Sequence, residues 1–268
     1  MYDVSGVYLA ERRTAAAIAM SVTIETIPVV PNLASGYHPA MSNDQYDDLR
    51  RLMSLMTGDE KHGASATSTL DALWVLYDRV LRIDASAPDD PDRDRFLLSK
   101  GHGPMAYYAV LAAKGFLTED ELPGFGGFDS RLGFHPDAQI VPGVEIGSGS
   151  LGHGLGIAVG LVRGLALMGR SRPRVVVMTG DAELDEGSNW EAIQVAGRWG
   201  LERLMAVVID NDSASLGWPG GLASRFAAEG WTAVDVDGRH HDELLAGYSF
   251  GSDERPHAVI AHVERKGS

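Results

Sequence analysis

Cysteine is absent from this sequence of 268 residues. Its absence excludes disulfides, thiolate metal sites and cysteine nucleophiles. Positive charge is scarce as well, because 23 Lys and Arg stand against 37 Asp and Glu, which gives a formal net charge of −14. A general nucleic-acid binder needs clustered Lys and Arg to contact phosphates, so we expect no nucleic-acid partner. A phosphate-bearing ligand would have to be held by a metal ion or by backbone amides.

Long apolar runs are also missing, since the sequence contains no apolar stretch of the length that a transmembrane helix needs. We therefore expect no membrane partner. Arg12-Arg13 followed by Ala15 to Val22 faintly resembles a signal peptide, but Glu25 comes soon after and no clear cleavage site is present. The sequence favours a cytoplasmic protein. We expect residues 1–41 to be a loosely ordered N-terminal extension and residues 42–268 to form one domain.

Short apolar strands alternate with helical segments over the second half of the chain. Strands are predicted at 174–179, 204–209, 231–236 and 258–263, with another short one at 95–98. Continuous apolar strands of this kind indicate a mostly parallel sheet covered by helices on both faces. The predicted fold class is therefore α/β, with three layers and a doubly wound sheet. Its ligands should bind at the carboxyl ends of the strands.

Two of the predicted strands end in polar residues that suit a metal ion. Thr179-Gly180-Asp181 ends one strand, and Asp210-Asn211-Asp212 ends the next. Consecutive strands joined by one helix usually lie side by side, so the side chains of Asp181 and Asn211 can converge. A carboxylate and an amide oxygen suit Mg²⁺, which completes its octahedron with water and phosphate oxygens. The alternative is that these residues merely stabilise turns.

The motifs around these strand ends resemble those of the transketolase family, from about residue 42 to the C-terminus. The family has Gly-Asp-Gly, then Glu-Gly, Glu-Ala and an Asp-x-Asn-like turn. The corresponding residues here are Gly180-Asp181-Ala182, Glu186-Gly187, Glu191-Ala192 and Asp210-Asn211. Further matches are Ser99-Lys-Gly-His102, His135-Pro136, Pro142-Gly-Val-Glu145 and Gly149-Ser-Leu151-Gly-His153-Gly154. His62, nine residues before Asp71, falls where the family has its first active-site histidine.

The resemblance implies that the domain binds thiamine diphosphate, and it gives roles to individual residues. Asp181 and Asn211 would coordinate Mg²⁺, or Ca²⁺ or Mn²⁺ in its place, and the carbonyl of Ser213 would add a third ligand. Gly149 and Leu151 would contact the aminopyrimidine of the cofactor. The other expected cofactor-binding residues are His153, Gly180, Asp181, Ala182, Glu186 and Asn211. The expected catalytic residues, which would line the channel, hold substrate hydroxyls and move protons, are His62, His102 and His135.

The resemblance also implies a partner chain. In this family a glutamate on a pyrimidine-binding domain activates the cofactor, and that domain would need many more residues than this chain has. We expect it on a C-terminal transketolase subunit, in an α2β2 assembly whose interface would bury Glu186 and Glu191. The complex would transfer a two-carbon ketol unit from a ketose or ketose phosphate to an aldehyde.

Departures from the family pattern keep other functions open. Ala182 replaces a glycine and would be strained if that position needs a positive φ. One alternative is the α chain of another split thiamine diphosphate enzyme, such as a 2-oxo acid dehydrogenase, which His102 and His135 disfavour. A second is a catalytically silent subunit that only binds a partner. A dinucleotide-binding protein is disfavoured because no G-x-G-x-x-G follows the first strand.

Overall fold

The computed structural model describes residues 43–58, 63–249 and 254–264. The predicted N-terminal extension and His62 lie outside these ranges. The α-helices are α1 (Asn43–Ser54), α2 (Gly63–Val75), α3 (Pro104–Ala113), α4 (Gly154–Leu167), α5 (Gly187–Arg198), α6 (Gly221–Ala228) and α7 (His241–Gly247). The strands are β1 (Arg95–Leu98), β2 (Val175–Gly180), β3 (Leu204–Asp210), β4 (Thr232–Asp237) and β5 (His257–His262). All five predicted strands are thereby confirmed, with small shifts at their ends.

Three shorter helical turns complete the described elements. A π-helical segment at Leu76–Val80 follows directly after α2, and 3₁₀ turns lie at Glu119–Gly124 and Ala182–Asp185. Thr118 and Glu121 form a capping box at the first 3₁₀ turn, an arrangement typical of Thr followed three residues later by Glu. Within the described ranges, no helix has both the length and the apolar character needed to cross a membrane.

The strands form one parallel sheet in the order β1-β2-β3-β5-β4. The chain adds β2 and β3 in turn, passes over one position to β4, and then returns to insert β5 between β3 and β4. Right-handed crossovers place helices on opposite faces when the direction of winding reverses. Accordingly α4, α5 and α6 pack on one face, and α7 packs with α2 on the other. The three-layer α/β fold is confirmed.

Successive residues of each strand enter two different apolar cores. In β2, Val176 and Met178 belong to the core under α1, α2, α3 and α7, whereas Val175 and Val177 belong to the core under α4, α5 and α6. Both faces of the strand therefore exclude water. This double burial explains why the strands are apolar at consecutive positions rather than alternating with polar residues.

A buried carboxylate fastens the loop that leads into β1. Asp94 is fully buried and accepts hydrogen bonds from Arg82 Nη2 at 2.7 Å and from Arg174 Nη2 at 2.6 Å. Burial alone would raise the pKa of Asp94, but the hydrogen bonds from the two guanidinium groups outweigh it and lower the pKa. Asp94 therefore joins the segment before β1 to the start of β2 through its ion pairs with Arg82 and Arg174.

Candidate functional site

The carboxyl ends of β2 and β3 bring the predicted metal ligands to one edge of the sheet. Gly180 of β2 pairs with Ile209 of β3, and the amide of Asp181 donates to the Ile209 carbonyl at 3.1 Å. Asp181 and Asn211 thus follow neighbouring strand ends, as the sequence predicts. Their relative exposures are only 3% and 7%, so each polar group must find a partner other than bulk water.

The oxygens of these two residues retain unused hydrogen-bonding capacity. Asp181 Oδ2 accepts from the amides of Ser213 at 2.5 Å and Ala214 at 3.0 Å, and Oδ1 accepts from the Ser213 hydroxyl at 2.7 Å. Since each carboxylate oxygen has two lone pairs, Oδ1 keeps one free. Asn211 Oδ1 is buried and accepts no hydrogen bond from any described residue. This pair of oxygens fits a hard divalent cation that needs few protein ligands.

The turn after β2 accommodates alanine without strain. Ala182 opens the 3₁₀ turn Ala182–Asp185. Among the described residues, the only non-glycine positions with positive φ are Asp212 at 56° and Glu254 at 53°. The strain considered for Ala182 is therefore not found. Across the described ranges no three His, Asp or Glu side chains converge on a metal position, so a cation here would rely on the carboxylate, the amide and a backbone carbonyl.

The loop before α4, residues 147–153, is called here the glycine loop, and it lies close to two of the predicted histidines. Gly149 has φ 114°, and a Cβ atom placed on it would lie 3.0 Å from Cγ of the His135 ring. A Cβ on Gly101, the neighbour of His102, would lie 3.2 Å from Cδ2 of Leu151. The segment around Gly149 and Leu151 therefore packs directly against His135 and against the turn that carries His102. Both histidines are exposed, as contact with a substrate requires.

His153 and the two predicted glutamates lie on the surface. His153 immediately precedes α4 and is exposed, and its side chain makes no capping hydrogen bond. Glu186 precedes α5, and a Cβ on Gly152 would lie 2.8 Å from Glu186 Cβ. Glu186 and Glu191 are both exposed in this chain, and no described hydrogen bond joins Glu186 to Asp181. The structure thus places Glu186 against the glycine loop.

Glu183 is a site residue that the sequence reasoning missed. Its exposure is 2%, and its carboxylate accepts hydrogen bonds from Ser99 Oγ and from the Gly152 amide, the latter at 3.0 Å. Ser99 Oγ in turn accepts from the Gly154 amide at 3.1 Å. Burial raises the pKa of Glu183, against the opposing effect of these bonds. The residue ties the end of β1, the glycine loop and the turn after β2 together.

Lys100 is a second residue missed from the sequence, where it occupied the variable position of Ser-x-Gly-His. Its ammonium group is buried and donates to the Ser65 carbonyl at 2.8 Å and to Thr69 Oγ1 at 2.9 Å. Its aliphatic stem lies 3.7 Å from where a Cβ on Gly180 would stand. The positively charged Lys100 side chain therefore lies buried beside the end of β2. Its burial could not be predicted from the sequence, because it depends on contacts with distant residues of α2.

These features define a class of protein. A parallel α/β sheet with buried side-chain oxygens at two adjacent strand ends and a glycine loop beside them is typical of cofactor-binding domains of the doubly wound type. The family described as transketolase, thiamine diphosphate binding domain, matches residues 51–248. The chain belongs to the transketolase family and carries its thiamine diphosphate-binding domain.

Individual relatives agree with this assignment. A protein of Rhodococcoides fascians named ferredoxin fas2 is 53% identical over 221 residues, which cover 82% of this chain and 73% of that protein. An apulose-4-phosphate transketolase subunit of Actinobacillus succinogenes is 36% identical over 214 residues and 76% of each chain. The transketolase structure from Leishmania mexicana superposes with a TM-score of 0.73 at 27% identity, over 82% of this chain and 36% of that one. This chain thus spans about a third of that transketolase.

Proposed function

We propose that this chain is the thiamine diphosphate- and Mg²⁺-binding subunit of a two-component transketolase. The observation that carries the proposal is the pair of buried oxygens with spare capacity, Asp181 Oδ1 and Asn211 Oδ1, at adjacent strand ends. They would hold Mg²⁺ together with the Ser213 carbonyl. In a chain with a net charge of −14, the ion would supply the positive charge that a diphosphate needs.

The glycine loop would hold the other end of the cofactor. Gly149 and Leu151 would contact the aminopyrimidine, because positive φ at Gly149 lets the backbone approach a ligand closely. The other cofactor contacts would come from the surrounding turns, at His153, Gly180, Ala182 and Glu186. When bound, thiamine diphosphate supplies the carbon nucleophile and the electron sink for cleaving a carbon–carbon bond.

Histidines of this chain would handle the substrate. His102 and His135 are exposed beside the glycine loop, where they would hold sugar hydroxyls and accept or return protons near neutral pH. His62 would be a third member of this group. The substrates would be a ketose or ketose phosphate as donor and an aldehyde as acceptor, with transfer of a two-carbon ketol unit.

A partner chain carrying the pyrimidine-binding domain would complete the active site, in an α2β2 assembly. One support is the likeness to a relative whose own name makes it one subunit of a transketolase. Another is the outer face of α4, where Ile157 is 43% exposed and where added Cβ atoms on Gly156 and Gly160 would meet nothing within 4 Å. The absence of side chains at the two glycines would let another chain approach the backbone of α4 closely. Glu186 would become buried in such an assembly.

Other functions receive less support. An α chain of a 2-oxo acid dehydrogenase would not require His102 and His135 beside the glycine loop, and a silent subunit would not require spare oxygens on Asp181 and Asn211. The word ferredoxin belongs to the relative's name, and this chain has no cysteine with which to hold an iron–sulfur cluster through thiolates. Cytoplasmic location remains a prediction from the sequence.

The metal assignment can be tested with Asp181→Ala in the full chain together with its partner. Calorimetric titration with thiamine diphosphate in MgCl₂ should show a loss of affinity above about 100-fold, because residues that only support metal ligands already cost about 10–100-fold. Asp237→Ala is the matched control, since Asp237 ends β4 at the same edge of the sheet. Wild-type affinity in Asp181→Ala would refute the assignment.

The two-component assignment has its own test. The purified chain should catalyse no ketol transfer, and addition of the partner should restore it. Turnover by a preparation that mass spectrometry shows to contain this chain alone would contradict the proposal.

A further inference from the structure

The loop that follows β3 carries two of the proposed metal ligands and is fastened to the turn after β2. This loop, residues 211–220, is called here the β3–α6 loop. Asp181 binds the amides of residues 213 and 214. Asp185 Oδ2 accepts from the amide of residue 215 at 2.7 Å, and its Oδ1 accepts from that of residue 216 at 3.3 Å. Two carboxylates of one turn therefore hold four consecutive amides of the loop.

The far end of the same loop is held by an arginine between two indole rings. Arg225 of α6 has its guanidinium carbon 3.4 Å from the ring centroid of Trp190 and 3.4 Å from that of Trp218. The two rings are nearly parallel, with centroids 6.0 Å apart and an interplanar angle of 22°. Trp190 lies on α5 and donates from Nε1 to the Leu184 carbonyl at 2.6 Å. Trp218 belongs to the β3–α6 loop, so the stack joins the loop to α5 and α6.

The two rings of the stack differ in their surroundings, because Trp190 packs against the core under α4, α5 and α6 and Trp218 does not. Trp218 is 45% exposed, and the next residue after Arg225, Phe226, is the one that enters the core under α6. A planar guanidinium is well suited to stack on aromatic faces. Desolvation by the surrounding side chains lowers the pKa of Arg225, although an arginine side chain remains charged in proteins. The arrangement therefore holds the exposed ring of the β3–α6 loop against a ring that packs on the core.

The loop needs an anchor that does not depend on the metal ligand. In the proposed function Asp181 serves the cation, while the same carboxylate also holds the amides of residues 213 and 214. If Asp181 shifts so that Oδ1 meets the cation, the hydrogen bonds that Oδ2 accepts from these two amides would lengthen. Asp185 and the Arg225 stack hold the rest of the loop without using Asp181.

We propose that Arg225 is a positioning residue that, between Trp190 and Trp218, keeps the β3–α6 loop in place so that Asn211 and Ser213 can serve the metal. The inference rests on the proposed function. It adds to Asp181 and Asp185 a further fixed point at Trp218, near the end of the loop that leads into α6. It also explains why an exposed aromatic residue, Trp218, lies on this loop, because its ring stacks on the Arg225 guanidinium.

Hydrogen exchange on the full chain tests the positioning without any cofactor. In Arg225→Ala, the amides of residues 213–216 should exchange about tenfold faster than in wild type, because local opening governs their protection. Arg225→Lys keeps the charge but lacks the planar fork and should show part of this effect. The matched control is Arg163→Ala, since Arg163 lies 5.1 Å from the ring centroid of Trp199, outside the loop. Unchanged protection of residues 213–216 in Arg225→Ala would overturn the inference.

Binding of thiamine diphosphate in MgCl₂, with the partner present, is the second measurement. Arg225→Ala and Trp218→Ala should weaken binding about tenfold, and Trp218→Phe should restore most of it because stacking persists. The control here is Arg51→Ala, which breaks an exposed ion pair with Glu119 outside the loop and should bind as wild type. A merely structural role would lower the melting temperature of Arg225→Lys and leave affinity unchanged, which would refute positioning. If wild type itself does not bind, the proposed function fails. If wild type binds, Asp181→Ala does not, and Arg225→Ala binds normally, only this inference fails.

Discussion

Replacing Glu183 with alanine would remove the carboxylate that joins three segments of the site while leaving Asp181 in place. The Ser99 hydroxyl and the Gly152 amide both donate to this carboxylate, and both would lose their acceptor in a region closed to water. The substitution also leaves a cavity where the side chain stood. The glycine loop would then lose its link to the turn after β2.

The expected loss can be worked out from these contacts. Each buried donor left without a partner costs about 1–3 kcal/mol. The substitution also removes a buried carboxyl group. Because burial of this group is unfavourable, as its raised pKa indicates, its removal offsets part of the cost. We expect Glu183→Ala to lower the free energy of unfolding by about 2–4 kcal/mol, or the melting temperature by about 5–15 °C for a domain of this size.

Urea unfolding followed by far-UV circular dichroism measures this effect. Glu183→Gln should stay within about 1 kcal/mol of wild type, because an amide oxygen can still accept from Ser99 and Gly152. Glu186→Ala, at an exposed carboxylate on the same turn, should change stability by less than about 0.5 kcal/mol. If Glu183→Ala unfolds at the same urea concentration as Glu186→Ala, the role assigned to Glu183 is refuted.

Three further substitutions test other parts of the structure. Asp94→Ala should cost about 3–5 kcal/mol in urea unfolding, because it removes the acceptor of the mostly buried Arg174 guanidinium and of the backbone amides of Arg82 and Arg174; a cost below about 1 kcal/mol would contradict this role of Asp94. Burial lowers the pKa of His257, so stability should be full above about pH 6.5, the unfolded value, and should fall as the pH drops toward the folded value. His257→Gln should flatten this pH dependence of the melting temperature, and an unchanged slope would exclude His257 as its source. Gly154→Ala should unfold at lower temperature than Gly156→Ala, because only the first Cβ would collide with Ser99; equal melting temperatures would contradict the close packing.

The strands, and the edge of the sheet that carries Asp181 and Asn211, could be predicted because their signals are local. Consecutive β-branched residues mark strands buried on both faces, and the rule that successive strands are neighbours places Asp181 beside Asn211. The effect of Ala182 on the backbone could not be predicted from local rules, because it depends on the φ angle at that position. In the structure Ala182 opens a 3₁₀ turn without a positive φ, so it is not strained.

Residues with distant partners escaped prediction. Glu183 takes its importance from Ser99, which is 84 positions away in the sequence, and from Gly152. The role of Arg225 depends on how the β3–α6 loop places Trp218 beside Trp190 of α5. Asp94 is one of five aspartates within residues 84–94, and nothing in that segment distinguishes it from the others. The sequence shows the charge of such residues but not the burial and geometry that give them a role.

The place of β5 in the sheet has a consequence for how the chain assembles during synthesis. β5 is the last described strand, yet it lies between β3 and β4 and hydrogen-bonds with both. Until residues 257–262 have left the ribosome, β3 and β4 each present an unpaired edge where the missing strand belongs. Open strand edges invite pairing with other chains. The sheet is therefore completed late in synthesis, when β5 pairs between β3 and β4. By then nearly all of the residues proposed for the binding site have already been synthesised.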